Sequence, residues 1–457
     1  MRQSRLLNGP APVLVLVVAA AVAGAFLSFK DLFVYLYGGR AVLDGLAIYE
    51  SADPVTGLHF TYPPFAAVLM VPLALLPTWL AAALWNGASV GALAAVIVVV
   101  SRALGRPAPG WLVALVTGGA LALEPVWQNL TFGQANLILM LAVLVDLVRP
   151  ERRWSGVLVG IAAGVKLTPL VFVVLLVLVG RRSAAGRAAL AFAGTVAVGF
   201  LVMPGSAARY WADDNLVDAA RVGPPELAHN QSVYGALTRL LDGPPPTWAW
   251  LAVAGPLSLA VLVVGAGWWR RGDRVLGTCL GALAMLIASP ISWSHHWVWA
   301  VPAALALWQR SRWASAAWTA VFVSRPVVWP PWGQDREFGW SPLDHLVGNA
   351  YLLAALAFSV WAAVTLYRGA GSSARRMDTE AARSDPPTSG VDPRLLRALV
   401  ARLVVTPGSS SGPAPPRRRL AAVSSVEIRP GVSLPRRPCD ASTWTTRDPR
   451  RTSGRNH

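Results

Sequence analysis

Long apolar stretches recur along the chain, separated by short polar segments in which arginine is the prevailing charge. Pro12 to Phe29, Trp79 to Val100 and Thr247 to Trp269 each approach or exceed the roughly 18 to 20 apolar residues that cross a bilayer. Lipid offers no hydrogen-bond partner to a peptide group, so such runs predict α-helices and an all-α, polytopic membrane helix bundle. With Arg2 and Arg5 placed on the cytoplasmic side, where Arg and Lys collect, the passes follow. Residues 11–29 go out, 79–100 return, 110–126 go out and 134–148 come back to Arg149, Arg152 and Arg153. Arginines flank 154–180 at both ends, which predicts a hairpin of two short helices with its tip near Lys166; a single kinked span is the alternative and inverts every later pass. From Arg181, Arg182 and Arg187, spans at 188–203, 247–268, 275–290, 297–309, 313–324 and 343–367 complete about twelve transmembrane helices, with both termini cytoplasmic. Two outer-face elements are added. Residues 32–43 space their apolar positions as an amphipathic helix, and the proline-bounded run 63–77 is too short for a span and reads as interfacial or re-entrant.

Composition sharpens this in three ways. Only 14% of residues are charged, against about a quarter in a soluble protein, and mean hydropathy is +0.48. The net charge of +17 does not mark a nucleic-acid binder: nine of those charges belong to residues 369–457, and most of the rest lie in short loops. The chain therefore divides into a membrane domain, 1–368, and a basic, Pro/Ser/Arg-rich cytoplasmic tail, 369–457, expected to be disordered for want of apolar surface. Val391 to Val405 in that tail also fits a short basic amphipathic helix on anionic lipid. Cys279 and Cys439 supply neither a disulfide framework nor metal-site spacing. The basic N-terminus before an apolar run lacks a clear small-residue cleavage site and reads as an uncleaved first helix.

The acidic residues add a functional signal. Outside the tail, Asp146, Glu151 and Asp273 fall near cytoplasmic ends, and the other 13 fall on outer loops or outer helix ends. An outward-facing polar site accounts for that gathering; ordinary solvated loops are the simpler account. Asp31 stands where the first helix leaves the bilayer, at the edge of hydrocarbon, where a carboxylate needs a partner or a task. Partial desolvation raises a carboxyl pKa and suits a general base for an alcohol, whereas a structural reading makes Asp31 the N-cap of the amphipathic helix.

Six motifs occur in order: Asp31-Leu-x-Val-Tyr35, Phe60-Thr-Tyr-Pro-Pro-Phe65, Gly133-Gln-Ala-Asn-Leu137, Gly164-Val-Lys-Leu-Thr-Pro169, Asn230-Gln-Ser-Val-Tyr-Gly235 and Ser289-Pro-Ile-Ser-Trp-Ser-His-His-Trp297. Together they resemble glycosyltransferase family 87, the actinobacterial polyprenyl-phosphomannose-dependent α-1,2-mannosyltransferases of the GT-C superfamily, over about residues 10–368. The resemblance implies a GT-C bundle in the plasma membrane that moves a mannosyl or related residue from polyprenyl phosphate to a hydroxyl of a lipid-linked glycan on the outer face. It implies inversion, with Asp31 as catalytic base, and no cofactor or metal. Lys166, His295 and His296 become candidates for the donor phosphate; Tyr35, Tyr62, Glu124, Gln134, Asn136, Asn230, Gln231 and Tyr234 become candidates for substrate. Each also has a plain structural reading: a snorkelling lysine, interfacial histidines in an aromatic belt, amides that satisfy loop backbone, an interfacial Glu124. Asp213-Asp-Asn215 with Asp218 offers carboxylates to a divalent cation but reads more simply as a solvated loop, and Asp335 and Arg336 are further phosphate candidates.

A transporter or flippase of lipid-linked sugars is the alternative class. It predicts inverted repeats and a midplane site, and the two halves show no sequence match. The expected partners are the bilayer, the donor and the acceptor lipid, and no nucleic acid. No Rossmann-type G-x-G-x-x-G dinucleotide fingerprint is present.

Overall fold

The computed structural model describes residues 7–26, 29–149, 152–212 and 220–383. Among these the chain is helical, with isolated bridges of Ala52 to His59 and Asn230 to Trp293 in place of strands. The first half runs α1 (Ala11–Ala25), α2 (Lys30–Asp44), α3 (Pro64–Ala74), α4 (Thr78–Ala103), α5 (Gly110–Ala120), α6 (Glu124–Phe132), α7 (Asn136–Leu147) and α8 (Val157–Val165). After a 3₁₀ turn at Thr168–Leu170 come α9 (Val171–Leu178), α10 (Arg182–Val202), α11 (Pro204–Ala212), α12 (Val233–Leu240), α13 (Thr247–Arg270) and α14 (Arg274–Ala288). A 3₁₀ segment, Ser294–Trp299, leads into α15 (Ala300–Trp308), followed by α16 (Arg312–Val323), α17 (Pro342–Gly348) and α18 (Ala350–Arg383).

Among the described residues four helices are long and apolar enough to cross a membrane alone: α4, α10, α13 and the 350–368 part of α18. The number is six if the bent pairs α1 with α2 (76°) and α5 with α6 (83°) each form one span. This is a multi-pass membrane protein. A count of twelve requires the short apolar helices α3, α7, α14 and their like to be counted as passes. The run 110–126 breaks at Ala120 and turns, and 343–367 is divided between α17 and α18, with α18 continuing to Arg383. The cation-site candidate at Asp213–Asp218 and the amphipathic candidate at Val391–Val405 lie outside the described residues.

Close helix contacts rest on small residues, as expected where lipid removes the hydrophobic drive for association. A Cβ at Gly24 of α1 would meet Asn86 Cβ of α4 at 2.8 Å, and the Asn86 amide donates to Ala20 O at 2.8 Å. Gly265 and Gly277 bring α13 and α14 together in the same way. The contacts of α8 with α10 decide its direction. Gly156 abuts Ala184, Gly160 abuts Ala188 and Ala191, and Gly164 abuts Thr195. Position numbers rise together, so α8 and α10 are parallel, and the chain between them must double back. Residues 154–180 are therefore a hairpin turning at Lys166.

The two ends of the bundle differ in chemistry. At one end Arg187 donates to Ser155 O (2.7 Å) and Arg274 to Arg149 O (2.7 Å), Arg270 reaches Leu178 O, and Arg310 pairs with Asp273. Asp146, buried there, accepts the backbone N–H groups of Gly156 (2.7 Å) and Val159 (3.0 Å), holding the start of α8 as an anion holds a helix N-terminus. At the opposite end of α7, α8 and α14 the loop tips converge.

Candidate active site

The site forms where four breaks in the helices meet: the start of α2, the α6–α7 turn, the tip at Lys166 and the 3₁₀ segment after α14. Helix α2 begins at Lys30 with Phe29 as its N-cap, so Asp31 lies inside the first turn and is not the cap. Its carboxylate instead meets a residue 103 positions away: Gln134 Nε2 donates to Asp31 Oδ2 at 2.8 Å. Gln134 is fixed in turn. Tyr35 OH donates to Gln134 Oε1 at 2.9 Å, and Tyr62 OH lies 3.2 Å from Gln134 Nε2 and 3.1 Å from Tyr35 OH. Because the amide oxygen is taken by Tyr35, its N–H side is turned toward Asp31.

Gly133 makes this approach possible. It ends α6 in the left-handed region at φ +71°, and a Cβ there would meet Leu32 Cβ at 2.8 Å and Phe29 Cβ at 2.9 Å. Trp85 Nε1 donates to Gly133 O (2.7 Å) and the buried Asn129 amide to Gln134 O (3.1 Å), so the turn is pinned on both sides. Burial raises the Asp31 pKa; the Gln134 hydrogen bond opposes it, followed by the charges of Lys166 and Lys30.

Two residues further on, Asn136 serves the second half of the site. Lys166 Nζ donates to Asn136 Oδ1 at 3.0 Å and stands 2.8 Å from His296 Nε2, while Asn136 Nδ2 donates to His295 O at 3.1 Å. Lys166 ends α8 in an extended conformation, at the hairpin tip and outside any span. Burial drives its pKa down to about 7, the Asp31 charge opposing. Two of its three N–H groups are accounted for, leaving one for an anion. Beneath this ammonium is a narrow cleft whose wall is largely apolar, with Leu139, Met140, Phe172, Met285 and Trp299 below Asn136 and His296.

The other predicted residues divide. His296 faces Lys166, whereas His295 turns its ring to the edge of Phe132 (5.5 Å). Glu124 is buried against the Tyr351 hydroxyl (3.0 Å), in the next layer of the bundle. Asn230 and Gln231 are fully buried and spend their amides on backbone. Asn230 Nδ2 donates to Pro225 O and Pro290 O and Oδ1 accepts from Ser292 N; Gln231 Nε2 donates to Ala228 O and Gly348 O and Oε1 accepts from Tyr351 N. Tyr234 is half-buried with its ring edge-on to Trp250. Arg336 donates to Gly333 O and Trp332 O in its own exposed loop, beside Asp335. Nor, among the described residues, do the remaining acidic residues expected on the outer face form one cluster. Asp53 closes a local turn with Thr56, Glu50 pairs with Arg209, Asp344 completes the Ser341 capping box of α17, and Glu337 ties Ala228 to Gly333. Of them, Asp31 is the carboxylate that the polar cluster surrounds. Among the described residues no three His, Cys, Asp or Glu side chains converge as metal ligands would.

A base candidate beside an ammonium over an apolar cleft fits transfer from a lipid phosphate, and sequence comparison agrees. The profile of glycosyltransferase family 87 matches residues 60–290. The chain belongs to glycosyltransferase family 87. Its relatives include the polyprenol-phosphate-mannose-dependent alpha-(1-2)-phosphatidylinositol pentamannoside mannosyltransferase of Mycobacterium tuberculosis, 38% identical over 76% of this chain and 80% of that one. The protein of that name from Mycolicibacterium smegmatis is 35% identical over 76% and 91%. A polyprenol-phosphate-mannose-dependent alpha-(1-2)-phosphatidylinositol mannoside mannosyltransferase of the same organism is 33% identical over 78% and 87%. No solved structure matches the chain. As a family 87 member the protein is a glycosyltransferase, and the Asp31–Gln134 and Lys166–His296 pairs are the polar groups its loops bring together.

Proposed function

We propose that this enzyme transfers mannose from polyprenyl-phosphate mannose to a hydroxyl of a phosphatidylinositol mannoside, forming an α-1,2 linkage with inversion. The observation that carries the reading is the pairing of a half-buried carboxylate with a lysine poised over an apolar cleft. Asp31 takes the proton from the acceptor hydroxyl through Oδ1, since Gln134 holds Oδ2. The acceptor oxygen then bonds to the anomeric carbon from the face opposite the phosphate. The C1–O bond to phosphate breaks with its electron pair, and a β-linked donor yields an α-product. Lys166 receives the charge of the departing polyprenyl phosphate as a point charge, with His296 and Asn136 setting its position. The prenyl chain follows the apolar surface that Met140, Phe172 and Met285 present below Lys166. Lys166 supplies the positive charge toward the leaving phosphate, and the reading invokes no metal or organic cofactor. The names of the relatives above support this acceptor class, two of them carrying a phosphatidylinositol pentamannoside and the third a phosphatidylinositol mannoside.

The topology we infer has about twelve passes in the plasma membrane, cytoplasmic termini and an outward site. Its support is the distribution of charge: the arginine-rich end of α8, α10 and α14 suits the cytoplasmic side, and the site lies at the other end. The test is transfer of radiolabelled mannose from polyprenyl-phosphate mannose to a phosphatidylinositol mannoside by membranes holding wild type or Asp31→Asn. Transfer by wild type with a loss of about 10²–10⁴-fold in the variant supports the reading. Equal transfer by both removes Asp31 as base, and no transfer by wild type removes the donor or acceptor assignment.

A further inference from the structure

The loop segment Phe60-Thr61-Tyr62 carries the Tyr62 hydroxyl to Gln134, and it has no helix or sheet of its own to hold it there. Pro63 and Pro64 follow it and bring no N–H donor. Two consecutive carbonyls of this segment are nevertheless satisfied from one place. Arg221 Nη2 donates to Thr61 O at 3.0 Å, and Tyr49 OH donates to Tyr62 O at 2.7 Å. The two donors are coupled, because the Arg221 guanidinium lies over the Tyr49 ring at 5.5 Å and over Tyr210 at 5.7 Å. Tyr49 and Tyr210 pack on each other at 5.5 Å, and Phe60, 1% exposed, fills the space between Tyr49 and Tyr62. Arginine suits this place and lysine does not: a planar fork stacks on rings while its edge donates to a carbonyl.

We propose that Arg221 is a positioning residue for the transfer, clamping the Thr61-Tyr62 backbone so that the Tyr62 hydroxyl holds the Gln134 amide on Asp31. Arg221 touches neither substrate nor base in this scheme. It acts through a relay of Thr61 O, Tyr62, Gln134 and Asp31, from a loop 190 positions away in sequence. The inference rests on the reading of Asp31 as base. The two fail separately, since an active Asp31→Asn sinks that reading whatever Arg221 does.

The test compares Arg221→Gln, Arg221→Lys and Tyr49→Phe with wild type in the mannose-transfer assay, each alone and combined with Tyr62→Phe. The expected result for Arg221→Gln is a fall in kcat of about tenfold or more, the scale on which small misplacements act, with the KM for the donor unchanged. Arg221→Lys does not restore the rate, and Tyr49→Phe shows a smaller fall in the same direction. The acid limb of the rate profile shifts with both. In the Tyr62→Phe background these losses shrink, because the relay is already cut. Undiminished losses in that background, or a fall in kcat with an unmoved acid limb, would overturn the proposal by making Arg221 merely structural. Full activity of Arg221→Gln overturns it as well. If Arg221→Gln does not fold, Tyr49→Phe decides by the same criteria, since it deletes one hydroxyl.

Discussion

Two turns of this protein present a neighbouring pair of side-chain amides, and the structure uses them in opposite ways. In Gly133-Gln134-Ala135-Asn136 the amides reach ionisable side chains: Gln134 meets Asp31, and Asn136 meets Lys166. In Asn230-Gln231 every amide contact described is to backbone, joining the 225–231 loop to Pro290, Ser292, Gly348 and Tyr351. A polar motif on a turn between helices is thus either a site or a seam, and the partners decide which. The lesson extends to carboxylates. Asp31 is held by one neutral donor and keeps an oxygen for chemistry, while Asp146 is consumed by two backbone N–H groups.

Substitutions that cut one turn and spare the other sharpen the contrast. The largest effect is expected at Lys166→Met, with a loss of kcat of about 10²–10³-fold on the scale of a lost charge stabiliser. Detergent-solubilised Lys166→Met should keep a thermal midpoint near that of wild type, since the loss of the Asn136 and His296 contacts is offset by removing a charge that burial disfavours. Gln231→Leu should behave in reverse. It leaves buried backbone groups of Ala228, Gly348 and Tyr351 without partners and should cost about 2–4 kcal/mol. Its folded fraction should transfer mannose at the wild-type rate, and loss of specific activity in well-folded Gln231→Leu would break the contrast.

Gly133→Ala is expected to fall between the two. It strains a left-handed turn and forces a methyl against Leu32 and Phe29, so kcat should drop with a modest fall in stability. The smallest effect is one of pH. In the free enzyme Lys166 titrates near 7 and is useful as an ammonium, so kcat/KM for the donor should decline as pH rises through that value. Bound phosphate favours the charged form, so the limb in kcat should lie higher, and Lys166→Arg should move the kcat/KM limb upward or abolish it. A flat kcat/KM profile from pH 6 to 9 would remove Lys166 from donor binding.

Much of this architecture was legible in the sequence because bilayers impose a simple code. The long apolar runs gave α4, α10 and α13, the amphipathic spacing of 32–43 gave α2, and arginines on both flanks of 154–180 gave the hairpin. Short helices were less legible: 110–126 reads as one run, yet Gly118 and Gly119 precede a break before Glu124, where α6 turns away by 83°. Within the site, Asp31 and Lys166 stood out as charges in apolar surroundings. Gln134 was expected at the substrate, and its amide lies against Asp31. Trp85, Asn129, Tyr49 and Arg221 carried no local signal, because an indole on an apolar helix or an arginine on a loop looks ordinary until its distant partner is known.

The most direct test of the account is the pH–rate profile of kcat/KM for the acceptor in wild type and Gln134→Leu. Asp31 must be ionised to act as base, and the Gln134 hydrogen bond lowers its pKa against burial. Removing that bond should raise the pKa, moving the acid limb of Gln134→Leu to higher pH and lowering its rate most at acid pH. An acid limb at the same pH in both enzymes, whatever the loss in rate, would contradict Asp31 as the base that Gln134 holds.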